Sequence, residues 1–310
     1  MYGLERRHIS EALNHVGLER GTTVCAHSSL GRLGHVVGGP DALIDALQDA
    51  VGQTGCLLMP TFPLRKSMAE VIDSSVVFDV TRTSSQNGIV TEVFRKRADV
   101  TRSLHPTNPV AAWGRSASAL LQNHEHSPTP YGPATPYGRL AEIDDGFVLM
   151  LETHVHSLLH HLQERVDFPN LFLDGLREIR YIDRYGAEQV MQTRVMRPRI
   201  PYFIAVPSAR DDDPDWAILH DFGLMFPARR RREVRGLGYR FDGYPKLYQR
   251  RRELERLGVL RTSRLGRGEI GLLHVKSFLS TLEPELRELI SRFRTFYDPE
   301  AIADRRLPYS

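Results

Sequence analysis

The sequence predicts an α/β fold: a layered α/β/α domain with a mixed central sheet, followed by a smaller C-terminal lobe with antiparallel strands. In the first half, short apolar segments alternate with amphipathic segments of helical period, which is typical of a layered α/β domain. In the second half, two strand-like segments follow each other across a short turn, as in an antiparallel hairpin. Because no low-complexity linker and no repeat separates the halves, we expect one unit over 1–310, with a core at about 1–170 and a C-terminal lobe at about 171–310.

The apolar pattern of the first half predicts each element in order. Residues 23–27 form the first strand, which ends in the polar pair Ser28-Ser29. A helix begins at Gly38-Gly39-Pro40-Asp41, because proline suits the first helical position and an acidic side chain is favourable at a helix N-terminus. This helix has one apolar face and ends at Gly52. Further strands are expected at 55–60, 109–113 and 147–151, and further helices at 88–97 and 116–121.

The second half has a different pattern. Its hairpin consists of two predicted strands, 179–183 and 188–192. The acidic segment 211–215 is predicted to be a loop that enters a short helix. A strand at 270–275 and a helix from 276 to about 293 complete the chain.

The composition is that of an ordinary globular protein, with 41% hydrophobic and 25% charged residues. No segment approaches the roughly 18 apolar residues that a membrane-spanning helix needs. The N-terminus lacks the apolar core of a signal peptide. Cys25 and Cys56 both lie in apolar strand-like segments, so we expect reduced, buried thiols. These features predict a cytoplasmic protein with no membrane partner.

The net charge of +3 conceals an asymmetry along the chain. Between Phe226 and Arg267 there are 14 Lys/Arg residues against 4 Asp/Glu residues, a local +10 that leaves −7 for the remainder. Its densest parts are 229–232 and 250–252. The ordinary interpretation of these arginines is a solvent-exposed helix face. The more specific interpretation is a binding surface for a phosphate-bearing ligand or partner. Nucleic acid is not expected as a partner, because no aromatic-interleaved motif or zinc signature accompanies the arginines.

Four of the thirteen histidines lie within eight residues, directly after the predicted strand 147–151. They are His154, His156, His160 and His161. Ligands of α/β folds bind at the edge where strands end, and a histidine exchanges a proton near neutral pH because its ordinary pKa is about 6.5. The segment therefore predicts proton transfer or, with Glu152 or Glu164 as further ligands, a metal site.

A second polar segment follows the first predicted strand. His27-Ser28-Ser29-Leu30-Gly31 combines hydroxyl groups with a glycine, and backbone amides in such a turn can hold an anion. Gly38-Gly39 adds a second anion-binding candidate at a helix N-terminus. The glycine spacing matches neither the dinucleotide-binding pattern nor the Walker pattern, so both kinds of phosphate site are rejected.

An ordered series of motifs is more specific than any single one of them. It begins with His27-Ser28-Ser29-Leu30, Gly34, Gly38-Gly39-Pro40-Asp41 and Leu58-Met59-Pro60-Thr61-Phe62. It continues with Phe78-Asp79, Asn87-Gly88-Ile89-Val90, Phe94-Arg95, Arg102-Ser103-Leu104-His105-Pro106, Val110-Ala111-Ala112 with Gly114, Gly132 with Thr135-Pro136, and Ser157-Leu158-Leu159-His160. Over about residues 20–170, this series resembles the aminoglycoside 3-N-acetyltransferase family, also called antibiotic acetyltransferases.

The resemblance implies a coenzyme A-dependent N-acyltransferase that acetylates an amine of an aminoglycoside or of a related antibiotic or natural-product intermediate. Acetyl-CoA and a small-molecule amine are then the partners, no metal is expected, and a homodimer is a further expectation. The roles in antibiotic resistance and in biosynthesis both remain open. The residues that the resemblance places at the coenzyme site are His27, Ser28, Ser29, Leu30, Arg102, Ser103, His105 and Thr135. Where this chain has Ser157-Leu158-Leu159-His160, the family has Thr-x-x-His. The resemblance implies that the histidine of this motif is the general base, because a base must remove the proton of an ammonium before its nitrogen attacks a thioester.

Two registers are open for that histidine. His160 matches if the chain is aligned without gaps through Pro169-Asn170, and the glutamate that the family has three residues later then becomes Gln163. His161 with Glu164 restores the His-x-x-Glu spacing but shifts the rest by one residue. We expect His160 to be the base.

Other departures from the family leave further alternatives open. Pro109 replaces a usual serine and Glu152 replaces a usual glycine. Because the glutamate position lacks its charge, Asp221 and Asp242 are candidates for a second carboxylate. The alternative functions are a metal-dependent hydrolase that uses the His154–His161 cluster and a non-catalytic relative that binds coenzyme A.

Overall fold

The computed structural model describes residues 3–63, 67–74, 77–153, 156–168, 171–196, 203–207, 214–218 and 252–296. The strands are β1 (Thr23–Ser28), β2 (Cys56–Pro60), β3 (Phe78–Asp79), β4 (Thr101–Arg102), β5 (Val110–Gly114), β6 (Gly146–Leu151), β7 (Phe172–Ile182), β8 (Glu188–Met196), β9 (Phe203–Pro207), β10 (Pro214–Ile218), β11 (Leu260–Leu265) and β12 (Gly268–His274). The helices are α1 (Arg6–His15), α2 (Leu30–Leu33), α3 (Gly39–Val51), α4 (Met68–Ile72), α5 (Ile89–Phe94), α6 (Ala117–Leu121), α7 (Pro136–Ala141), α8 (Leu158–Arg165) and α9 (Val275–Phe296).

The central sheet has seven strands in the order β11-β12-β6-β1-β2-β5-β4. β1 pairs in parallel with both β6 and β2, so Thr23 lies opposite Gly146 on one side and Cys56 on the other. The outer strands β5, β4, β12 and β11 pair antiparallel. The sheet is therefore mixed, as the sequence predicts, with a parallel centre.

Helices cover both faces of this sheet. One face packs against α1, α3 and α5 in an apolar cluster that includes Val24 and Leu47. The other face packs against α6, α7, α8 and α9 in a cluster that includes Cys25, Leu162 and Phe278. Successive residues of β1 thus enter opposite clusters, as the alternation of side chains along a strand requires. The predicted three-layer α/β/α architecture is confirmed.

The second, smaller sheet has the order β3-β7-β8. β7 and β8 form the predicted antiparallel hairpin, which is longer than the sequence indicated, and β3 pairs in parallel with β7. β3 belongs to the first half of the chain, whereas β11 and β12 add strands from its end to the central sheet beside β6. Each of these two sheets therefore contains strands from before and from after residue 170, where the sequence suggested that a C-terminal lobe begins.

One predicted element is wrong. The chain after the acidic segment was expected to be helical, but Pro214–Ile218 forms β10, with Asp215 opposite Val206 of β9. Trp216 and Ile218 are residue types that favour strands, and β9 supplies the backbone partners of a ladder. Residues 211–213 lie outside the described residues.

The other predicted strands and helices are present, although the hairpin strands are longer and α5 is shorter than the sequence indicated. Cys25 and Cys56 are both free and buried, as expected, and burial raises the pKa of each thiol to about 12. Within the ranges described, no helix combines the length and the apolar character that crossing a membrane requires.

Gly114→Ala is expected to destabilise the fold strongly. Gly114 ends β5 with a φ of +107°, and a Cβ there would overlap the carbonyl oxygen of Gly55 and lie 3.0 Å from Cα of Cys56. Left-handed strain and overlap together predict a loss of about 3 kcal/mol or more in the free energy of unfolding. The measurement is urea unfolding.

Gly186→Ala is the matched control for this prediction. Gly186 has a similar backbone conformation, with a φ of +81°, but an added Cβ would meet no atom within 4 Å. Strain alone predicts a loss of about 1 kcal/mol. Equal losses in the two variants would contradict the proposed overlap at β5.

Candidate active site

A cavity of about 220 Å³ opens at the edge of the sheet where the parallel strands end. Because β1, β2 and β6 run in the same direction, the residues that follow them meet at this edge. The lining residues are Ala26, His27, Ser28, Pro60, Phe62, Asn87, Thr91, Tyr131, Thr153, His156, Ser157 and His160. The cavity thus combines apolar walls with hydroxyl, amide and imidazole groups.

His160 reaches the cavity from the first turn of α8. Its Nδ1 lies 2.8 Å from Oε1 of the buried Gln163, and its ring lies 4.8 Å from the ring of Tyr131, centroid to centroid. An amide oxygen only accepts hydrogen bonds, so Nδ1 carries the proton and Nε2 keeps a lone pair. Burial lowers the pKa of His160, and the hydrogen bond with Gln163 opposes that shift. The imidazole is therefore neutral at neutral pH.

The alternative pair, His161 and Glu164, does not line the cavity. The ring of His161 is buried, and its Nδ1 donates a hydrogen bond to the carbonyl oxygen of Tyr131 at 2.6 Å. Oε1 of Glu164 accepts a hydrogen bond from the backbone N–H of Tyr131 at 2.9 Å. Burial raises the pKa of Glu164 to about 7, against opposing hydrogen bonds from Thr129 and Tyr131. Both side chains of this pair thus bind a neighbouring segment.

Of the four candidate residues at the end of β1 and in the turn after it, two line the cavity. His27 and Ser28 are lining residues, and burial lowers the pKa of His27 to about 4, so its ring is neutral. The backbone N–H of Ser29 donates to the carbonyl oxygen of Leu151 at 2.8 Å, which ties the turn to the end of β6. Leu30 packs against the apolar cluster behind the sheet.

Arg102, which was expected at the coenzyme site, is buried and bound to other parts of the chain. Its Nε donates to Oγ1 of Thr61 at 2.9 Å, its Nη1 donates to the carbonyl oxygen of Thr83 at 2.5 Å, and its Nη2 donates to the carbonyl oxygen of Thr61. The guanidinium lies 4.8 Å from the ring centroid of Phe78, and burial lowers its pKa to about 9. Arg102 thus links the end of β2 to the smaller sheet and is not a lining residue.

Ser103 and His105 are also interior residues. Oγ of Ser103 accepts a hydrogen bond from the backbone N–H of Val110 and lies 2.9 Å from Nδ1 of His124. Nδ1 of His105 accepts a hydrogen bond from the backbone N–H of Asn108 at 3.1 Å, and burial lowers the pKa of His105 to about 3. Both side chains stabilise the chain between β4 and β5.

Thr135 is the N-cap of α7. Its Oγ1 accepts a hydrogen bond from the backbone N–H of Gly138 at 3.3 Å and donates one to the carbonyl oxygen of Gly132 at 2.7 Å. Such a cap satisfies a donor that the first helical turn leaves unpaired. Of the residues predicted at the coenzyme site, the structure therefore brings only His27 and Ser28 to the cavity wall, together with His160.

Sequence reasoning missed several lining residues. His156 was considered only as one member of the histidine segment, without a separate role. It precedes α8 in a loop, and its ring is buried, lines the cavity and packs edge-on against Phe278. Tyr131 was not singled out at all, and its only signal is its place beside Gly132 of the motif series. Asn87 appeared in a motif without a role, and its Oδ1 accepts a hydrogen bond from the backbone N–H of Phe62.

The carboxylates that a metal site would need point elsewhere. Glu152 adopts a left-handed backbone conformation, with a φ of +52°, and its Oε1 accepts a hydrogen bond from the backbone N–H of Glu269 at 2.6 Å. Among the residues that the structure describes, no group of three or more His, Cys, Asp or Glu side chains could hold a metal ion. The candidates that lie outside the described residues are His154, Pro169-Asn170, Asp221, Asp242 and the arginines of 229–232 and 250–251.

Comparisons of the sequence with known proteins agree on one family. A family model described as aminoglycoside 3-N-acetyltransferase matches residues 25–206. Aminoglycoside N(3)-acetyltransferase VII of Streptomyces paromomycinus is 31% identical over 179 residues, which cover 53% of this chain and 62% of the relative. Aminoglycoside N(3)-acetyltransferase VIII of Streptomyces fradiae is 33% identical over 172 residues, covering 51% of this chain and 59% of the relative. The chain thus spans about three fifths of the length of these curated relatives.

Solved structures share the fold over almost the whole chain. Aminoglycoside acetyltransferase AAC(3)-Xa superimposes with a TM-score of 0.64 at 25% identity, covering 91% of this chain and 92% of that one. AAC-IIIb, solved as a binary complex with CoASH, has a TM-score of 0.66 at 20% identity, covering 93% and 97%. The YokD protein from Bacillus subtilis has a TM-score of 0.65 at 19% identity, covering 94% and 96%.

Glu164→Gln is expected to make stability less dependent on pH. In the folded protein the pKa of Glu164 is raised from 4.5 to about 7, so between these values the folded state holds a proton that the unfolded chain releases. The stability of the wild-type protein therefore falls as pH rises through this window. The variant lacks this loss, so its stability relative to wild type increases from pH 4.5 to pH 7, as measured by urea unfolding at several pH values.

Glu178→Gln is the control for removing one negative charge, because Glu178 is exposed on β7. The difference in the free energy of unfolding between Glu178→Gln and wild type should stay constant across the same pH range. If the difference between Glu164→Gln and wild type is constant as well, the pKa of Glu164 is not raised in the folded protein.

Proposed function

The chain belongs to the aminoglycoside 3-N-acetyltransferase family, and from this premise we propose that it transfers the acetyl group of acetyl-CoA to an amine of an aminoglycoside or of a related antibiotic or natural-product intermediate. The observation that carries the proposal is the place of the His160 imidazole at the cavity, with Nδ1 in contact with Gln163. Two solved relatives support the substrate classes: AAC-IIIb was solved with CoASH and AAC(3)-IVa with a gentamicin. A homodimer stays a prediction.

The cavity fits the reacting ends of the two substrates. Its volume of about 220 Å³ is below the roughly 300–1,000 Å³ of pockets that enclose drug-sized ligands. The thioester end and the attacking amine therefore meet in it, while the nucleotide of the coenzyme lies outside. Ser28, Asn87 and Thr91 offer hydroxyl and amide groups to the polar part of the coenzyme's arm, and Phe62 and Pro60 offer apolar surface to its methylene groups.

His160 acts as the general base in this proposal. Acetyl-CoA supplies an activated carbonyl carbon. The acceptor reacts as the free amine: its lone pair forms the new C–N bond, and Nε2 of His160 accepts the one proton that the nitrogen then loses. The C–S bond then breaks, and the imidazolium returns the proton to the departing thiolate, so that an amide and a free thiol result. The ring begins neutral, as this sequence of transfers requires.

Gln163 orients His160 through a neutral amide group in this proposal. Its Oε1 fixes the tautomer of His160 in the same way that the family's glutamate would, because either oxygen accepts the Nδ1 proton. The amide carries no negative charge, so it stabilises the imidazolium less than a carboxylate would. We infer that His160 stays neutral to a lower pH than a histidine beside a carboxylate would. It also accepts a proton less readily than such a histidine would.

Arg102, Ser103, His105 and Thr135 have a supporting role in this proposal. Their polar atoms bind neighbouring parts of the chain, so they shape the walls of the cavity and do not touch the substrates there. Their presence in the motif series reflects the architecture that the family shares.

His160→Ala is expected to abolish acetyl transfer and to leave acetyl-CoA binding intact. A library of amines, including aminoglycosides, is incubated with acetyl-CoA, and acetylated products are identified by mass spectrometry. Removal of the general base predicts a loss in kcat/KM of at least about 100-fold, and calorimetry should show unchanged binding of the coenzyme. His161→Asn, which keeps a donor for Tyr131, is the matched comparison.

Other outcomes of this experiment are equally informative. A loss in His161→Asn that exceeds the loss in His160→Ala would assign the base to His161. Coenzyme binding by a wild-type protein that acetylates no amine would indicate a non-catalytic relative. Stoichiometric zinc in the purified protein would favour the metal-dependent hydrolase.

Gln163→Glu is expected to move the acid limb of the pH profile of kcat/KM to higher pH. A carboxylate at this position favours the protonated imidazole and so raises the pKa of His160 relative to the wild-type protein. Because the neutral ring is the active form, activity is then lost at a higher pH as the solution is acidified. Gln192→Glu, on the exposed side of β8, is the control, and a profile unchanged by Gln163→Glu would argue against His160 as the base.

A further inference from the structure

Tyr131 contacts three polar residues of α8 although it lies about thirty positions earlier in the chain. Its backbone N–H donates to Oε1 of Glu164 at 2.9 Å, and its carbonyl oxygen accepts from Nδ1 of His161 at 2.6 Å. Its ring packs against the ring of His160 with centroids 4.8 Å apart. One residue thus engages the proposed base and both members of the alternative pair.

The other end of Tyr131 is held by a buried network. Its hydroxyl oxygen accepts a hydrogen bond from Nδ2 of Asn108 at 2.8 Å. Oδ1 of Asn108 accepts one from Oγ1 of Thr107 at 2.7 Å, and the backbone N–H of Asn108 donates to Nδ1 of His105. Tyr131 is only 3% exposed, so its ring is fixed between this network and α8.

The chain beside Tyr131 approaches α8 closely. A Cβ at Gly132 would lie 3.1 Å from Oε2 of Glu164 and would overlap Oγ1 of Thr129. A side chain at this position would therefore push Tyr131 away from the helix. The glycine of the motif series permits the contact that Tyr131 makes.

We propose that Tyr131 is a positioning residue for His160, and that His161 and Glu164 act through Tyr131 by clamping its peptide groups. The inference rests on the proposed function, in which His160 is the base. Gln163 sets the tautomer of the imidazole, and the Tyr131 ring restricts the rotation of the imidazole plane. His161 and Glu164 keep the ring in place and do not touch the substrates.

The short length of α8 explains the need for such a clamp. The helix has eight residues, and its N-cap Ser157 makes no side-chain capping bond. An isolated helix of this length is unstable in water, so tertiary contacts must hold it in place. A catalytic group displaced by about 1 Å can lose up to about 100-fold in rate. Hydrogen bonds from two side chains of the helix to one peptide segment remove this freedom.

The test compares Tyr131→Leu with Tyr137→Leu. Tyr137 is a buried neighbour, with its ring centroid 5.1 Å from that of Tyr131, and it does not line the cavity. Two readouts are taken: kcat and KM for acetyl-CoA, and the ¹⁵N NMR shifts of His160, which report its tautomer without any substrate. For Tyr131→Leu we expect kcat to fall about tenfold, KM to stay within about twofold, and His160 to show a mixture of tautomers.

Two further pairs of variants refine the test. His161→Leu should reproduce the loss in kcat, and His161→Asn should restore most of it, because the asparagine amide replaces the Nδ1 donor. Tyr131→Phe removes only the bond to Asn108 and serves if Tyr131→Leu does not fold; it should lower kcat about threefold and alter the His160 spectrum.

The inference is overturned if Tyr131→Leu, or Tyr131→Phe in its place, leaves the His160 spectrum as in wild type, or if Tyr137→Leu changes kcat and the spectrum to the same extent. The proposed function is tested by a different outcome. A wild-type protein that transfers no acetyl group would refute the proposed function, and the NMR comparison would still decide whether Tyr131 positions His160.

Discussion

The parallel pairing of β1 with β6 and β2 is the constraint on which the site depends. β1 is buried from Thr23 to Ala26, and the part-buried polar residues His27 and Ser28 form its end. Because its two neighbours run in the same direction, the turn after β1, the loop after β2 and the entry to α8 all meet at one edge. An antiparallel neighbour would send one of these segments to the opposite edge. The antiparallel strands on both sides widen the sheet, and the layers of helices bury it.

The polar residues of α8 divide into two functions at this edge. His160 and Gln163 form a hydrogen-bonded pair at the cavity, whereas His161 and Glu164 bind the peptide groups of Tyr131. The helical period accounts for the first pairing, since residues three apart lie on one face. Burial gives each pair its electrostatic character: it keeps His160 neutral and raises the pKa of Glu164. Gln163 contacts Nδ1 of His160 through a neutral amide oxygen and not through a carboxylate.

Many residues of the motif series stabilise the architecture around the cavity. Arg102 illustrates this point, because its donors bind oxygen atoms at the end of β2 and beside β3. A buried guanidinium is costly unless its donors are satisfied, and here it joins the central sheet to the smaller one. Thr135 and Ser103 satisfy backbone groups in the same way. In this chain the motif series thus includes interior residues that bind other parts of the chain as well as residues that line the cavity.

The sequence by itself determined the local features: the apolar strands, the amphipathic α3, the hairpin of β7 and β8, and the clustering of histidines after β6. These depend on the order of neighbouring residues, which periodicity and turn chemistry report directly. Only the tertiary structure decided which histidines line the cavity, which side chains of α8 contact Tyr131, and how β11 and β12 join the central sheet. It also placed Arg102 and Thr135 in the interior, away from the cavity wall. The physical reason is that burial and hydrogen-bond partners come from residues distant in the chain, and these partners set both the pKa and the role of a polar side chain.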